Sequence, residues 1–132
     1  MSIFLENSLP NSVAITLSPR LLAHLGDSVL HLFEREREIL SAASAKQLHQ
    51  KAASRVSAVK QADYLDHISS RLSTAEQDLV RRARNLKPSS YKKIGQNAYR
   101  KATAFEALIG YLYLTDIPRL KDLLSWTLEI SS

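Results

Sequence analysis

Between Ala102 and Thr115 the chain carries a single charged residue, Glu106, and no proline. Ala, Leu, Phe and Ile dominate this stretch, so it predicts a helix. At 100° per residue its apolar groups surround the axis rather than forming a stripe, which marks a central, buried helix. It is too short to span a bilayer. Glu106 is the anomaly. A carboxylate inside such a helix loses hydration and shifts toward its neutral form unless a cation or donor stays close. Its own helix face offers mostly small neighbours (Ala102, Thr103, Gly110), with Tyr99 and Tyr113 one and two turns away. That leaves room for a ligand, and a metal ion is one candidate.

A chain of 132 residues fits one domain around one core. Its 45% hydrophobic and 23% charged residues exclude a disordered polyelectrolyte. Few glycines and prolines, with no long β-branched alternation, predict an all-α fold of about six helices around the central one. The absence of cysteine excludes disulfides and thiolate metal sites, and suits a reducing, cytoplasmic setting. Met1 to Leu17 has no early basic residue and contains Glu6 and Pro10, a poor secretory signal. No segment predicts a membrane span.

Residues 1–17 predict an irregular arm and 18–132 a single domain. Ser18-Pro19 gives an N-cap followed by proline at the first helical position. That helix is expected to run to about Leu40, with Leu21, Leu22, Leu25, Val29, Leu32, Phe33 and Leu40 inward. Asp27 falls on the opposite face with His31, Glu34 and Glu38, as an ordinary solvated acid would. Gly26 is less ordinary, because glycine in a helix interior costs about 0.5–1 kcal/mol relative to alanine. It suggests close approach of another backbone or a ligand beside Asp27, or a merely tolerated glycine. Further helices are expected over about 45–55, from the Ser57 cap to about Ile68, and from the Ser73-Thr74-Ala75-Glu76 capping box to about Asn85. Leu48, Ala52, Val59, Ala62, Tyr64, Leu65 and Ile68 are their inward candidates. Leu86 to Gln96 reads as loop. A last helix opens at Ile117-Pro118, with Leu120, Leu123, Leu124, Trp126, Leu128 and Ile130 as core candidates.

The net charge of +5 is modest, but its placement is not. Between Asp78 and Glu106 there is no acid, and Arg81, Arg82, Arg84, Lys87, Lys92, Lys93, Arg100 and Lys101 all fall there. Such a run reads as uncompensated positive charge that favours a polyanion partner; a solubilising loop is the plain alternative.

Two constellations could carry chemistry. His24, Asp27 and His31 share one helix face and together could bind zinc, although exposed faces often collect histidines beside acids. Asp27 with Glu106 would suit Mg²⁺, which takes oxygen ligands and retains waters. Their separation in the chain leaves open whether they meet. No Gly-rich phosphate loop is present, and Ser-His combinations are too numerous to mark a triad.

Leu25-Gly26-Asp27-Ser28-Val29-Leu30 resembles the Leu-Gly-Asp signature of the ribonuclease III catalytic domain. Phe105-Glu106-Ala107-Leu108-Ile109-Gly110 resembles its second signature. Leu48 to Ala52, Val56 to Ala62, Arg82 to Asn85 and Tyr99-Arg100 extend the similarity to the short Mini-ribonuclease III branch, which lacks a separate double-stranded-RNA-binding domain. The resemblance covers roughly Ser18 to Leu128. It implies an all-α homodimer that cuts both strands of an RNA duplex and leaves 5′-phosphate ends. Asp27 and Glu106 would be the catalytic, metal-holding pair, with Mg²⁺ as cofactor and Mn²⁺ as a substitute. Two further acids of full-length family members correspond to Ala23 and Thr103 here, as in the Mini-ribonuclease III pattern. Arg81, Arg82, Arg84, Asn85, Lys87, Lys92, Lys93, Tyr99, Arg100 and Lys101 would meet the RNA. Precursor 23S ribosomal RNA is the implied target, with a ribosomal-protein helper as a further partner. A non-catalytic RNA-binding or ribosome-assembly module of the same fold is the rival reading, and a helical protein-binding adaptor is a third.

Overall fold

The computed structural model describes residues 4, 7–86 and 96–131. Among them there are helices and no strands: α1 (Asn11–Ala14), α2 (Pro19–Glu38), α3 (Ala45–Arg55), α4 (Ala58–Ile68), a 3₁₀ turn (Ser69–Arg71), α5 (Thr74–Arg84), α6 (Gln96–Thr115) and α7 (Ile117–Thr127). The one-turn α1 apart, that makes the six helices expected. The loop residues Lys87, Lys92 and Lys93 lie outside the described residues.

Helix starts follow local chemistry. The Ser18 hydroxyl accepts from the Arg20 amide at 3.2 Å, and Pro19 occupies the first turn of α2. Ser44 and Ser57 cap α3 and α4 in the same manner. Ser73 and Glu76 close a reciprocal capping box on α5. Asp116 ends the run of α6 and accepts from the Arg119 amide at 3.0 Å, so one residue separates α6 from α7.

Helix α6 is the axis of the molecule, contacted by α1, α2, α4, α5 and α7. Ala102, Ala104, Phe105 and every residue from Ala107 to Leu112 are buried, as its all-round apolar character predicts. Leu22, Leu30, Tyr64, Leu65, Ile68, Leu79, Leu120 and Leu123 pack around it. Within the first 17 residues, Ala14 is fully buried and the Leu9 amide donates to the Leu114 carbonyl at 2.8 Å.

The inward face of α2 differs from the expected stripe. Leu21, Leu32 and Leu40 are exposed, at 64%, 49% and 99%, whereas Glu34 and Glu38 are buried. The reason lies in α3. Arg55 reaches across to both acids, pairing with Glu34 at 3.4 Å and with Glu38, while Arg37 pairs with Glu34 at 3.2 Å. A leucine count cannot register a cation arriving from another helix. Burial raises the Glu34 pKa despite Arg37 and Arg55. The Arg55 hydrogen bond is the main cause that lowers Glu38. Val59, Leu128 and Ile130, expected inward, are also exposed.

Candidate catalytic cleft

Two glycines determine how α2 meets α6. A Cβ on Gly110 would stand 2.0 Å from the Leu22 carbonyl oxygen, and one on Gly26 would stand 1.8 Å from that of Glu106. Neither distance is physically accessible to a side chain, so the helices cross backbone on backbone. At Gly110 the missing side chain serves close packing within the chain, against α2. Of the alternatives for Gly26, close approach of another backbone is the one observed.

This crossing carries Asp27 against Glu106. The two carboxyls are hydrogen-bond neighbours, and the pair opens on a cleft of about 290 Å³ that is also lined by Arg20, His24, Tyr99 and Thr103. The Asp27 side chain is half exposed. Burial, followed by the hydrogen bond and the charge of Asp27, pushes Glu106 up to about 8. Two carboxyls held within hydrogen-bond reach of each other share a proton readily. A hard divalent cation would reverse that balance, and two oxygen ligands with retained waters suit Mg²⁺. The donor set therefore fits the ion.

Ala23 also lines the cleft but offers no ligand atom. The Thr103 hydroxyl donates to the Tyr99 carbonyl at 3.0 Å and is spent on its own helix. Zinc on His24, Asp27 and His31 finds no support: among the described residues no three His, Cys, Asp or Glu side chains group to hold a metal. His31 instead sits 3.4 Å from Asp27.

The basic interval is acid-free in sequence but, among the described residues, partly compensated in space. Arg81 and Arg82 both pair with Asp78 at the head of the run, and Lys101 pairs with Asp66 of α4 at 3.0 Å. Helical spacing explains the first two, and packing of α4 on α6 the third. Arg81, Arg84, Asn85 and Arg100 line a second cleft of about 330 Å³ over Leu72 and Val80. Arg100 donates to the Arg84 carbonyl at 3.1 Å and thereby ties the end of α5 to the start of α6. Tyr99 belongs to the acid cleft, one turn before Thr103.

Arg20 escaped the sequence reading. Its signal was available: Arg20, His24 and Asp27 stand at i, i+4 and i+7, so they share a helix face. What was missing was a reason to regard that face as a site.

The chain is similar to known proteins along most of its length. A family model, the ribonuclease III domain, matches residues 20–116. A Mini-ribonuclease 3 from a Thermoanaerobacter species is 39% identical, covering 96% of this chain and 93% of its own. Another, from Symbiobacterium thermophilum, is 42% identical and covers 83% and 87%. A crystal structure of a Fusobacterium nucleatum protein superposes with a TM-score of 0.76, covering 87% of this chain and 92% of its own. At 24% identity that last likeness speaks for the fold alone.

Proposed function

The chain belongs to the ribonuclease III family, in its Mini-ribonuclease 3 branch, and from that premise we propose that it is a Mg²⁺-dependent endoribonuclease of double-stranded RNA. The observation that carries this reading is the meeting of Asp27 and Glu106 at one open cleft. These two residues would hold the cation. Mg²⁺ bound there would supply a Lewis acid for the scissile phosphate and a water of lowered pKa.

The protein's own contribution is positional. The glycine crossing holds both carboxyls on rigid helix backbone, so little reorganisation accompanies cation or substrate binding. With Ala23 and Thr103 contributing no carboxylate, the two acids leave room for water and phosphate oxygens. Duplex RNA hides its base edges in a deep groove, so contacts fall on phosphates, 2′-hydroxyls and shape. Arg81, Arg82, Arg84, Asn85, Tyr99, Arg100 and Lys101, with Lys87, Lys92 and Lys93 from the intervening loop, are the proposed RNA contacts. Mn²⁺ is the proposed substitute for Mg²⁺.

Residues 18–132 are the proposed catalytic domain, with 1–17 as an arm. We further propose a symmetric homodimer, in which two clefts cut the two strands. Its support is the mainly apolar groove formed by Val29, Leu32, Phe33, Tyr113, Ile117 and Leu120 and edged by Glu36 and Lys121, on which Leu32 is exposed. Sedimentation should find Leu32→Glu monomeric; a monomeric wild type removes this element. Maturation of precursor 23S ribosomal RNA, with a ribosomal-protein helper, is the proposed physiological role in the cytoplasm. Among the described residues no helix is long and apolar enough to cross a membrane.

The test is incubation with a long RNA duplex, with and without Mg²⁺, followed by end mapping. Cuts with 5′-phosphate ends, lost in Asp27→Asn and Glu106→Gln with duplex binding retained, are expected. Binding without any cut would leave the non-catalytic module in its place.

A further inference from the structure

Two polar side chains of the acid cleft, Arg20 and His24, belong neither to the carboxyl pair nor to the basic α5–α6 region. Arg20 and His24 lie on α2 two turns and one turn before Asp27, and both are exposed where they line the cleft. Seven residues of helix rise correspond to about 10 Å. The α2 wall of the cleft therefore runs from a guanidinium at its outer end, past an imidazole, to the carboxyl pair at the crossing. The α6 wall runs in parallel fashion by sequence offset, from Tyr99 through Thr103 to Glu106. Thr103 bonds back to its own helix, and the other polar side chains lining the cleft besides the two acids are Arg20, His24 and Tyr99.

A phosphodiester brought to the carboxyl pair carries its strand through this cleft. The strand's phosphates recur at intervals of a few ångströms, so neighbours of the scissile phosphate pass the outer α2 wall. Guanidinium is the group best shaped to bind a phosphate through two parallel hydrogen bonds. Arg20 makes its own contacts in the RNA-free protein, and binding would exchange one of them for a phosphate oxygen.

We infer that Arg20 and His24 are substrate contacts of the cleaved strand: Arg20 grips a phosphate beside the scissile one, and His24 donates a hydrogen bond nearer the scissile phosphate. The inference rests on the endoribonuclease reading and adds to it a strand-specific grip made by α2. The basic α5–α6 region would then serve the rest of the duplex.

The experiment uses full-length protein, Mg²⁺ and a synthetic RNA duplex with one mapped cut. Single methylphosphonate linkages, which remove one negative charge each, are placed at successive positions around that cut. Arg20→Ala should raise KM about tenfold with kcat little changed, the size of one charge-assisted contact. Its binding should lose about one unit of salt slope, and Arg20→Lys should recover part of both. One methylphosphonate position should penalise the wild type yet cost Arg20→Ala nothing further. His24→Ala should lower kcat/KM, with His24→Gln, which keeps a donor, closer to wild type. Both residues are exposed, so thermal unfolding should be unchanged in all four variants. Methylphosphonate penalties that are the same in Arg20→Ala as in wild type overturn the Arg20 contact. Cleavage by His24→Ala at the wild-type rate overturns the other. In either case wild-type cutting and the loss in Asp27→Asn would still stand, so the endoribonuclease reading survives. A wild type that cuts no duplex removes both.

Discussion

Gly26 rests on the peptide of Glu106, and the residue that follows it, Asp27, is thereby delivered to the Glu106 carboxyl. Backbone contact between α2 and α6 and the meeting of the acids are one arrangement. A side chain at position 26 would separate the helices and the carboxyls together.

Gly26→Ala should therefore damage stability and chemistry at once. A Cβ at 1.8 Å from a carbonyl oxygen forces backbone movement rather than a rotamer change. The expected loss is at the upper end of the overpacking range, about 3 kcal/mol or more, read from the denaturant midpoint. Better helix propensity returns less than 1 kcal/mol. An alanine variant as stable and active as wild type would deny the close crossing.

The metal-free protein should lose stability as pH rises. Glu106 is raised from 4.5 to about 8, chiefly by burial and then by Asp27. Between those values the folded chain keeps a proton that the unfolded chain has released, so stability falls through this window and levels above about 8. Thermal unfolding against pH should show the slope in wild type and a flatter profile in Glu106→Gln. Saturating Mg²⁺ should displace the proton and raise stability most at the alkaline end. A flat wild-type profile would contradict the buried acid pair.

The ion cluster between α2 and α3 should respond differently to partial and complete removal. Arg55→Ala removes the cation that Glu34 and Glu38 share, leaving each with a single weaker partner, Arg37 and Lys51, and should lower the denaturant midpoint. Glu34→Leu, Glu38→Leu and Arg55→Met combined should be neutral or stabilising, because the desolvation of three charges is removed with their attraction. Equal losses in the single and triple variants would show that packing, not charge, governs this end of α2.

RNA affinity should divide the basic residues by their partners. Arg82 shares Asp78 with Arg81, so part of its charge is already countered. Arg84, exposed beside Arg100 in the second cleft, should matter more. Arg84→Glu is expected to weaken duplex binding and flatten the salt slope by about one unit or more, and Arg82→Glu by less. Unchanged binding in both would remove this region from the interface.

Local signals in the sequence were sufficient for most of the architecture. Ser18-Pro19, Ser57 and the Ser73–Glu76 box mark helix starts through contacts spanning at most four residues, and they recur in the structure. The all-round apolar run marks α6 as central. What stayed hidden depends on contacts across the fold. Glu34 and Glu38 look like a solvated face until Arg55 arrives from α3. Leu21 and Leu32 look like core although they remain exposed. Lys101 looks uncompensated until α4 brings Asp66. The site divides in the same way: Gly26 and Glu106 were visible as local oddities, whereas their contact required the crossing, and Arg20 became noticeable only once both walls of the cleft were in place.

Direct binding of Mn²⁺, followed by electron paramagnetic resonance on wild type, Asp27→Asn and Glu106→Gln without RNA, tests the shared cation most directly. One site per chain is expected in wild type, tightening as pH rises toward about 8 and weakened more than about tenfold by either substitution. Equal Mn²⁺ binding by all three proteins would contradict the account, because the two carboxyls would then hold no cation between them.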